Sequence, residues 1–157
     1  MLDLETLRFM DKNENIIFVG TSGVGKTHLA VSIGMAAAKR RISTYYITFN
    51  DLINQLMKAN SENRADIKIK YFCKYKLLII DEIGYLPITK EGAYLFFQLI
   101  NKRYEKKSTI ITTNQVFSKW PEIFGDSVVT AAIIDRLVHH SHIIKINGRS
   151  YRIKDRC

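Results

Sequence analysis

The chain has 157 residues, 46% of them hydrophobic, which suits one domain with a buried core. It carries no run of about 18 uncharged apolar residues, so we expect no membrane span. Acidic residues lie within residues 1–15, where a signal peptide would be basic and apolar, so we predict a cytoplasmic protein. A net charge of +9, from 24 Lys and Arg against 15 Asp and Glu, favours a polyanionic partner such as nucleic acid.

Short apolar runs alternate along the chain with longer amphipathic segments. The predicted strands are residues 16–19, 45–49, 77–80, 109–112 and 142–146. The predicted helices are residues 26–40, 51–58 after an Asn50 cap, 90–106 after Thr89, and 128–139 after Asp126 or Ser127. Residues 77–80 are apolar on both faces, which is typical of a strand covered by helices on both sides. We therefore predict a three-layer α/β/α fold around a mostly parallel five-stranded sheet.

Two segments are harder to assign. Residues 62–72 alternate in part like an edge strand but also carry a helical apolar stripe, and we favour a helix because it would bridge two strands on one side of the sheet. Residues 143–146, an Asn147-Gly148 turn and residues 151–153 predict a small antiparallel tail. The prediction is one domain over residues 1–157, with a helix or linker at 1–12 and a strand-turn-strand tail at 142–157.

Residues 20–27 fit the phosphate-binding pattern G-x-x-x-x-G-K-[ST], directly after a predicted strand and at the start of a predicted helix. The glycines let backbone amides approach the β-phosphate, and the helix amino end adds a partial positive charge. In this pattern Lys26 neutralises the β- and γ-phosphates of ATP, and Thr27 binds Mg²⁺. The predicted ATP-binding residues are Gly20, Thr21, Ser22, Gly23, Val24, Gly25, Lys26, Thr27 and His28, the last with no role beyond its place on the helix.

An acidic pair follows the apolar run at residues 77–80. Asp81 ends this strand, at the edge of the sheet where ligands of open α/β folds bind, and is predicted to hold Mg²⁺ together with Thr27. Glu82 is predicted to polarise a water molecule for attack on the γ-phosphate. The pair favours hydrolysis of ATP over phosphate transfer to a substrate hydroxyl.

Asn114 follows another predicted strand, a place where Asn is also common for reasons of turn geometry alone. If this strand lies between the strands that end at Gly20 and Asp81, the Asn114 amide would reach the γ-phosphate and the attacking water. Asn114 is then a third candidate catalytic residue.

The order of these motifs, the P-loop, Asp81-Glu82 and then Asn114, resembles that of the AAA+ ATPases. The surrounding sequence is similar to the IstB-like subgroup, which contains insertion-sequence transposition helpers and is related to DnaC-type helicase loaders. The similarity runs from about Phe9 to Arg152 and includes residues 25–30, 78–87, 97–100, 108–114, 124–126, 135–137 and 139–141.

This resemblance implies roles for matching positions. Asp81 and Glu82 look like the Walker B pair, Asn114 like sensor 1, and Arg136 like an arginine finger offered to the ATP of a neighbouring subunit. Without the resemblance, Arg136 would be a helix-surface residue paired with an acid. Too few residues follow Arg136 for a C-terminal helical lid, so no sensor 2 residue is assigned. The amino-terminal domain usual in the family does not precede residue 9, so we expect either a catalytic-core fragment or a naturally short member.

Basic residues form four clusters: Lys39-Arg40-Arg41, Lys68-Lys70-Lys74-Lys76, Lys102-Arg103-Lys106-Lys107 and Arg149-Arg152-Lys154-Arg156. Singly each suits a solvated helix end, and together they suit a surface that follows a phosphate backbone without reading bases.

The leading hypothesis is an ATPase that assembles with itself, as a ring or helix, on DNA, duplex more than single strands, to assist a transposase. A loader for a replicative helicase is the alternative. A small-molecule kinase, with residues 51–72 as its lid, and a nucleotide-dependent binding module with negligible turnover are further alternatives.

Overall fold

The computed structural model describes residues 6–21, 23 and 25–146. The strands are β1 Asn15–Gly20, β2 Thr44–Thr48, β3 Leu77–Ile83, β4 Ser108–Thr113 and β5 Ser141–Ile146. The helices are α1 Arg8–Asp11, α2 Lys26–Lys39, α3 Phe49–Ser61, α4 Ala65–Cys73, α5 Lys90–Arg103, α6 Trp120–Phe124 and α7 Ser127–Val138, with a 3-10 turn at Phe117–Lys119.

The five strands form one sheet in the order β2-β3-β4-β1-β5, and every neighbouring pair is parallel. All strands therefore start at one edge of the sheet, called here the amino edge, and end at the opposite carboxyl edge. Strand β4 lies between β3 and β1, so the condition set for Asn114 is met. The predicted parallel five-stranded fold is confirmed.

The sheet separates two apolar cores because successive side chains of a strand point to opposite faces. On one face, Ile79 and Ile110 pack with Ile33 and Ala37 of α2. On the other face, Ile80 and other strand residues pack against the larger group of helices α3 to α7. Residues 77–80 are at most 1% exposed, as expected for a strand covered on both sides. These two helical layers and the sheet make the three predicted layers.

Side-chain caps fix where three helices begin. Thr89 accepts from Gly92 N at the start of α5, and Asp126 accepts from two backbone amides at the start of α7, as predicted. The predicted Asn50 cap is wrong, because Thr48 accepts from Asp51 N and α3 already begins at Phe49. Strand β2 consequently ends at Thr48 rather than at residue 49.

The segment at 62–72 is helical, as favoured, although α4 begins only after Arg64. Strand β5 pairs with β1 in parallel and so belongs to the main sheet. The predicted turn at residues 147–148 and the returning strand at 151–153 lie outside the described residues. No helix in the described part of the chain has the length and apolarity to cross a bilayer.

Candidate nucleotide site

The phosphate-binding loop runs from the end of β1 to the start of α2, in the context its pattern requires. Gly25 precedes α2 with a φ of 88°, a left-handed conformation that suits glycine. No side chain caps this helix. The first amides of a helix lack intrahelical partners, so those of Lys26, Thr27 and His28 are available to an anion. Ser22 and Val24 lie outside the described residues, and the His28 side chain is exposed.

Lys26 is held inside this loop rather than extended into solvent. Lys26 is 6% exposed, and its Nζ donates to the Thr21 carbonyl oxygen at 2.8 Å. Burial lowers the pKa of Lys26, while the nearby carboxylates of Asp81 and Glu82 act in the opposite direction. The ammonium group therefore lies between the loop backbone and the acidic pair, where a phosphate could also meet it.

Asp81 is 1% exposed and is surrounded by hydroxyl groups. Thr27 Oγ1 donates to the carboxylate, at 3.0 Å from each oxygen, and Tyr46 Oη donates to Oδ2 at 2.5 Å. Thr112 Oγ1 donates to Oδ1. A buried carboxylate next to a threonine hydroxyl offers the hard oxygen ligands that Mg²⁺ prefers, so the residues present fit this ion. Thr27 and Asp81, the two predicted metal ligands, are brought together.

Tyr46 and Thr112 were not among the predicted site residues. Paired residues of parallel strands point to the same face, and the register extends from the pair Ile79 and Ile110 to place Thr112 beside Asp81. Tyr46 pairs with Ile79 and so also lies on this face. Burial and the hydrogen bond to Asp81 raise the pKa of the Tyr46 phenol. Thr112 could have been predicted from the sequence once the strand order was assumed. The hydrogen bond from the Tyr46 hydroxyl to Asp81 could not have been predicted in this way.

Glu82 has an unusual backbone for its position in a strand. Its φ is 66°, in the left-handed region, and the ladder between β3 and β4 shifts register between Ile80 and Ile83. The Glu82 amide donates to Thr112 Oγ1 at 2.8 Å instead of joining the ladder. The residue is exposed at the carboxyl edge, next to buried Asp81. Such a conformation costs about 1–2 kcal/mol for a non-glycine residue and is typical of functional positions.

Asn114 directly follows β4 at the same edge. Its Oδ1 is buried and has no hydrogen-bond partner among the described residues. It lies against Gly84, whose φ is 113° and where an added Cβ would be 2.6 Å from that oxygen. A buried unpaired oxygen is costly and occurs at few positions, often in functional sites. Three predicted groups, Asp81, Glu82 and Asn114, thus stand on adjacent strand ends beside the P-loop.

Arg136 is not part of this group. It lies near the amino edge, because the next residue, Leu137, accepts at its carbonyl from Asn15 Nδ2 at the first position of β1. The P-loop follows the last position of β1, about 16 Å further along the strand. Arg136 Nε donates to Asn101 Oδ1 at 2.5 Å, and its guanidinium is 5.0 Å from the ring centroid of Phe97.

One member of the predicted basic clusters proves to be structural. Arg103 is 1% exposed, and its guanidinium donates to the carbonyl oxygens of Phe72, Tyr75 and Ser108 and to Thr109 Oγ1, at 2.6–3.1 Å. Burial lowers the pKa of Arg103 to about 10, so the group stays charged at neutral pH. It cannot reach a DNA backbone, and its inclusion in the cluster was wrong. The cluster at residues 149–156 lies outside the described residues.

Comparison with known proteins gives two kinds of match. The family model of IstB-like ATP binding proteins matches residues 1–157. The ATP-binding protein of insertion sequence IS232 from Bacillus thuringiensis subsp. berliner is 59% identical over 155 residues, which are 99% of this chain and 62% of that protein. The insertion sequence IS21 ATP-binding protein of Pseudomonas aeruginosa is 46% identical, over 98% of this chain and 58% of that protein. The chain thus spans about three fifths of the length of these relatives.

Solved structures agree on the fold. The DnaC helicase loader matches with a TM-score of 0.74 and 26% identity, over 90% of this chain and 85% of that one. The replication initiator DnaA, solved with AMPPCP and single-stranded DNA, matches with a TM-score of 0.78 over 98% of this chain and 49% of that one, and its 18% identity bears on the fold alone. With the P-loop, the strand order and these matches together, the chain belongs to the IstB-like ATP binding protein family and has an AAA+ type P-loop fold.

Proposed function

We propose that this chain binds ATP with Mg²⁺ and hydrolyses it in an assembly with copies of itself on DNA, in support of transposition. The observation that carries the proposal is the contact of Asp81 with Thr27, at 3.0 Å, beside Lys26 and exposed Glu82. The insertion-sequence origin of the relatives supports the link to transposition.

The roles follow from position and charge. The amides at the start of α2 and Lys26 would bind the phosphates, and Thr27 and Asp81 would hold Mg²⁺, which supplies charge neutralisation for the transferred phosphoryl group. Glu82 is exposed and free to accept a proton from water, whereas Asp81 is enclosed by three hydroxyls. The unpaired Asn114 oxygen would orient that water or the γ-phosphate.

Arg136 would act on the ATP of a neighbouring copy. Its place near the amino edge keeps it away from the P-loop of its own chain, so Arg136 could reach the phosphates of ATP only from a second chain. A guanidinium that stabilises the transition state of phosphoryl transfer is worth several orders of magnitude in rate. Hydrolysis would then depend on assembly.

The test measures ATP turnover against protein concentration, with and without duplex DNA, for the wild type, Glu82→Gln, Arg136→Ala and an equal mixture of the two variants. Turnover per subunit should rise with concentration, each variant should lose at least about 100-fold, and the mixture should recover part of the activity. The recovery arises because some interfaces pair an intact Glu82 with an intact Arg136.

Two controls separate a catalytic role of Arg136 from a structural one. Arg64→Ala removes an exposed arginine elsewhere and should keep full turnover. Binding of a fluorescent ATP analogue to Arg136→Ala should match the wild type, since Arg136 would act in the transition state. A mixture that never exceeds its separate components would remove Arg136 from the site, and phosphate transfer to a metabolite in place of water would contradict the ATPase proposal.

A helicase-loading role is the second candidate, favoured by the match to the DnaC helicase loader over 90% of this chain. The two roles share the nucleotide site and differ in the partner protein. Pull-down with an insertion-sequence transposase, against a replicative helicase, separates them: stable capture of the helicase alone would favour loading.

A further inference from the structure

Nine basic residues of the described part of the chain lie at the amino edge of the sheet. Helices α2, α4 and α5 each return the chain from the carboxyl edge to the amino edge, and basic residues stand in their last turns or just after them. These residues are Lys39, Arg40, Arg41, Lys70, Lys74, Lys76, Lys102, Lys106 and Lys107. The acidic pair Asp81 and Glu82 lies at the other edge. Among the residues that the structure describes, these nine thus lie on the side away from the candidate nucleotide site.

A cleft of about 230 Å³ opens within this basic region. Three lysines line it, Lys76, Lys106 and Lys107, together with Met10, Asp11, Asn13 and Ile42. Leu77 and Ser108 are paired in register, so Lys76 and Lys107 precede neighbouring strands about 4.8 Å apart. None of the three lysines takes part in the ion pairs found among the described residues, and Asp11 is the one acid among the described residues that line the cleft.

Hydrogen bonds to neighbouring residues hold the loops that carry these lysines. Arg103 donates to the Tyr75 and Ser108 carbonyls, next to Lys76 and Lys107, and Ser108 N donates to the Lys76 carbonyl at 3.1 Å. Asn13 Nδ2 donates to the Glu105 carbonyl at 3.1 Å, which ties the segment before β1 to the segment before β4. The backbone around the three lysines is thus held by hydrogen bonds, which lowers the loop entropy lost on binding.

The geometry points to this cleft as a contact site for the phosphate backbone of duplex DNA. Convergent lysines without acidic partners favour phosphate oxygens. No aromatic ring among the described residues lines the cleft, whereas single strands are bound by stacking of bases on aromatic side chains, so a duplex backbone fits better. This inference rests on the DNA binding in the proposed function, and it assigns that binding to Lys76, Lys106 and Lys107.

The test compares two triple variants with the same loss of charge. One combines Lys76→Ala, Lys106→Ala and Lys107→Ala, and the control combines Lys58→Ala, Lys90→Ala and Lys119→Ala, which are exposed lysines away from the amino edge. Fluorescence anisotropy measures binding to a labelled duplex of arbitrary sequence, about three helical turns long, over a range of salt concentrations.

The cleft variant should bind at least about tenfold more weakly than the wild type and lower the salt slope by about 2–3, while the control variant stays near wild type. Equal weakening in both variants would show that only net charge matters and would overturn the inference. Normal binding by the cleft variant would do the same while leaving DNA binding intact. Absence of binding by the wild type would instead contradict the DNA part of the proposed function. Binding of a fluorescent ATP analogue checks that each variant is folded.

Discussion

Asp81 and Arg103 are both charged, each is 1% exposed, and neither forms an ion pair with another described residue, yet their surroundings differ. Asp81, at the carboxyl edge, receives hydrogen bonds from three side-chain hydroxyls. Arg103, at the amino edge, donates to three backbone carbonyls and one hydroxyl. Hydroxyls can rotate to serve a cation instead, whereas backbone carbonyls are fixed by the fold.

The difference separates a charge kept for binding from a charge kept for structure. A buried charge is costly unless hydrogen bonds satisfy it, and both groups meet this requirement in their own way. Removing Arg103 should therefore lower the free energy of unfolding. Neutralising Asp81 should instead lower ATP turnover and leave the fold intact.

Replacing Arg103 by Met should have the largest effect. Three carbonyl oxygens would lose their donor inside the protein, which should lower the free energy of unfolding by about 3–5 kcal/mol. Urea denaturation measures this change. Its exposed neighbour offers the control, since Lys102→Met should change stability by no more than about 0.5 kcal/mol. Similar stability of the two variants would contradict a structural role of the Arg103 charge, and with it the contrast to Asp81.

Asp81→Asn should lower ATP turnover at least about 100-fold, because an amide oxygen is a much weaker Mg²⁺ ligand than a carboxylate. The free energy of unfolding should stay within about 1 kcal/mol of wild type, since Asn has the same shape, its Oδ1 still accepts from a hydroxyl, and its Nδ2 can donate to a hydroxyl that rotates. A steady-state phosphate-release assay and urea denaturation on one sample give both numbers. Substantial turnover would exclude Asp81 as the metal ligand.

Tyr46→Phe tests whether the hydroxyls around Asp81 matter to the ion. Loss of a hydrogen bond to a metal-binding carboxylate should raise the Mg²⁺ concentration for half-maximal turnover about tenfold. Tyr45→Phe is the matched control, because Tyr45 points to the other face, where its ring packs against Tyr71 and Phe72. Binding of Mn²⁺, followed by electron paramagnetic resonance, should show the same shift without turnover. Equal behaviour of the two variants would leave Tyr46 with no role at the site.

Much of this molecule follows from local sequence. Apolar runs of strand length, the P-loop pattern and caps such as Thr89 depend on residues close in the chain, and the parallel sheet follows from their alternation. The meeting of Asp81 with Thr27 was also predictable, because the ends of parallel strands share one edge.

The features that were missed depend on contacts between distant residues. Arg103 looks like any basic helix end, and its burial results from carbonyls up to 31 positions away. Helix α6 is five residues long, too short for a periodic pattern, although Trp120 and Phe124 are in the core. The register shift at Glu82 could not be predicted from the sequence. Its backbone is left-handed, and glutamate is uncommon in that conformation, so the residue type gives no signal for it.

The left-handed backbone of Glu82 has a practical consequence for anyone who engineers this protein. Glycine at that position would relieve the strain of about 1–2 kcal/mol, offset in part by the greater freedom of the unfolded chain. A directed-evolution campaign scored on heat resistance alone would therefore tend to enrich Glu82→Gly. The survivors would still fold and would hold the nucleotide, but they would have lost the carboxylate proposed to activate water, so such a campaign needs a turnover screen beside the thermal one.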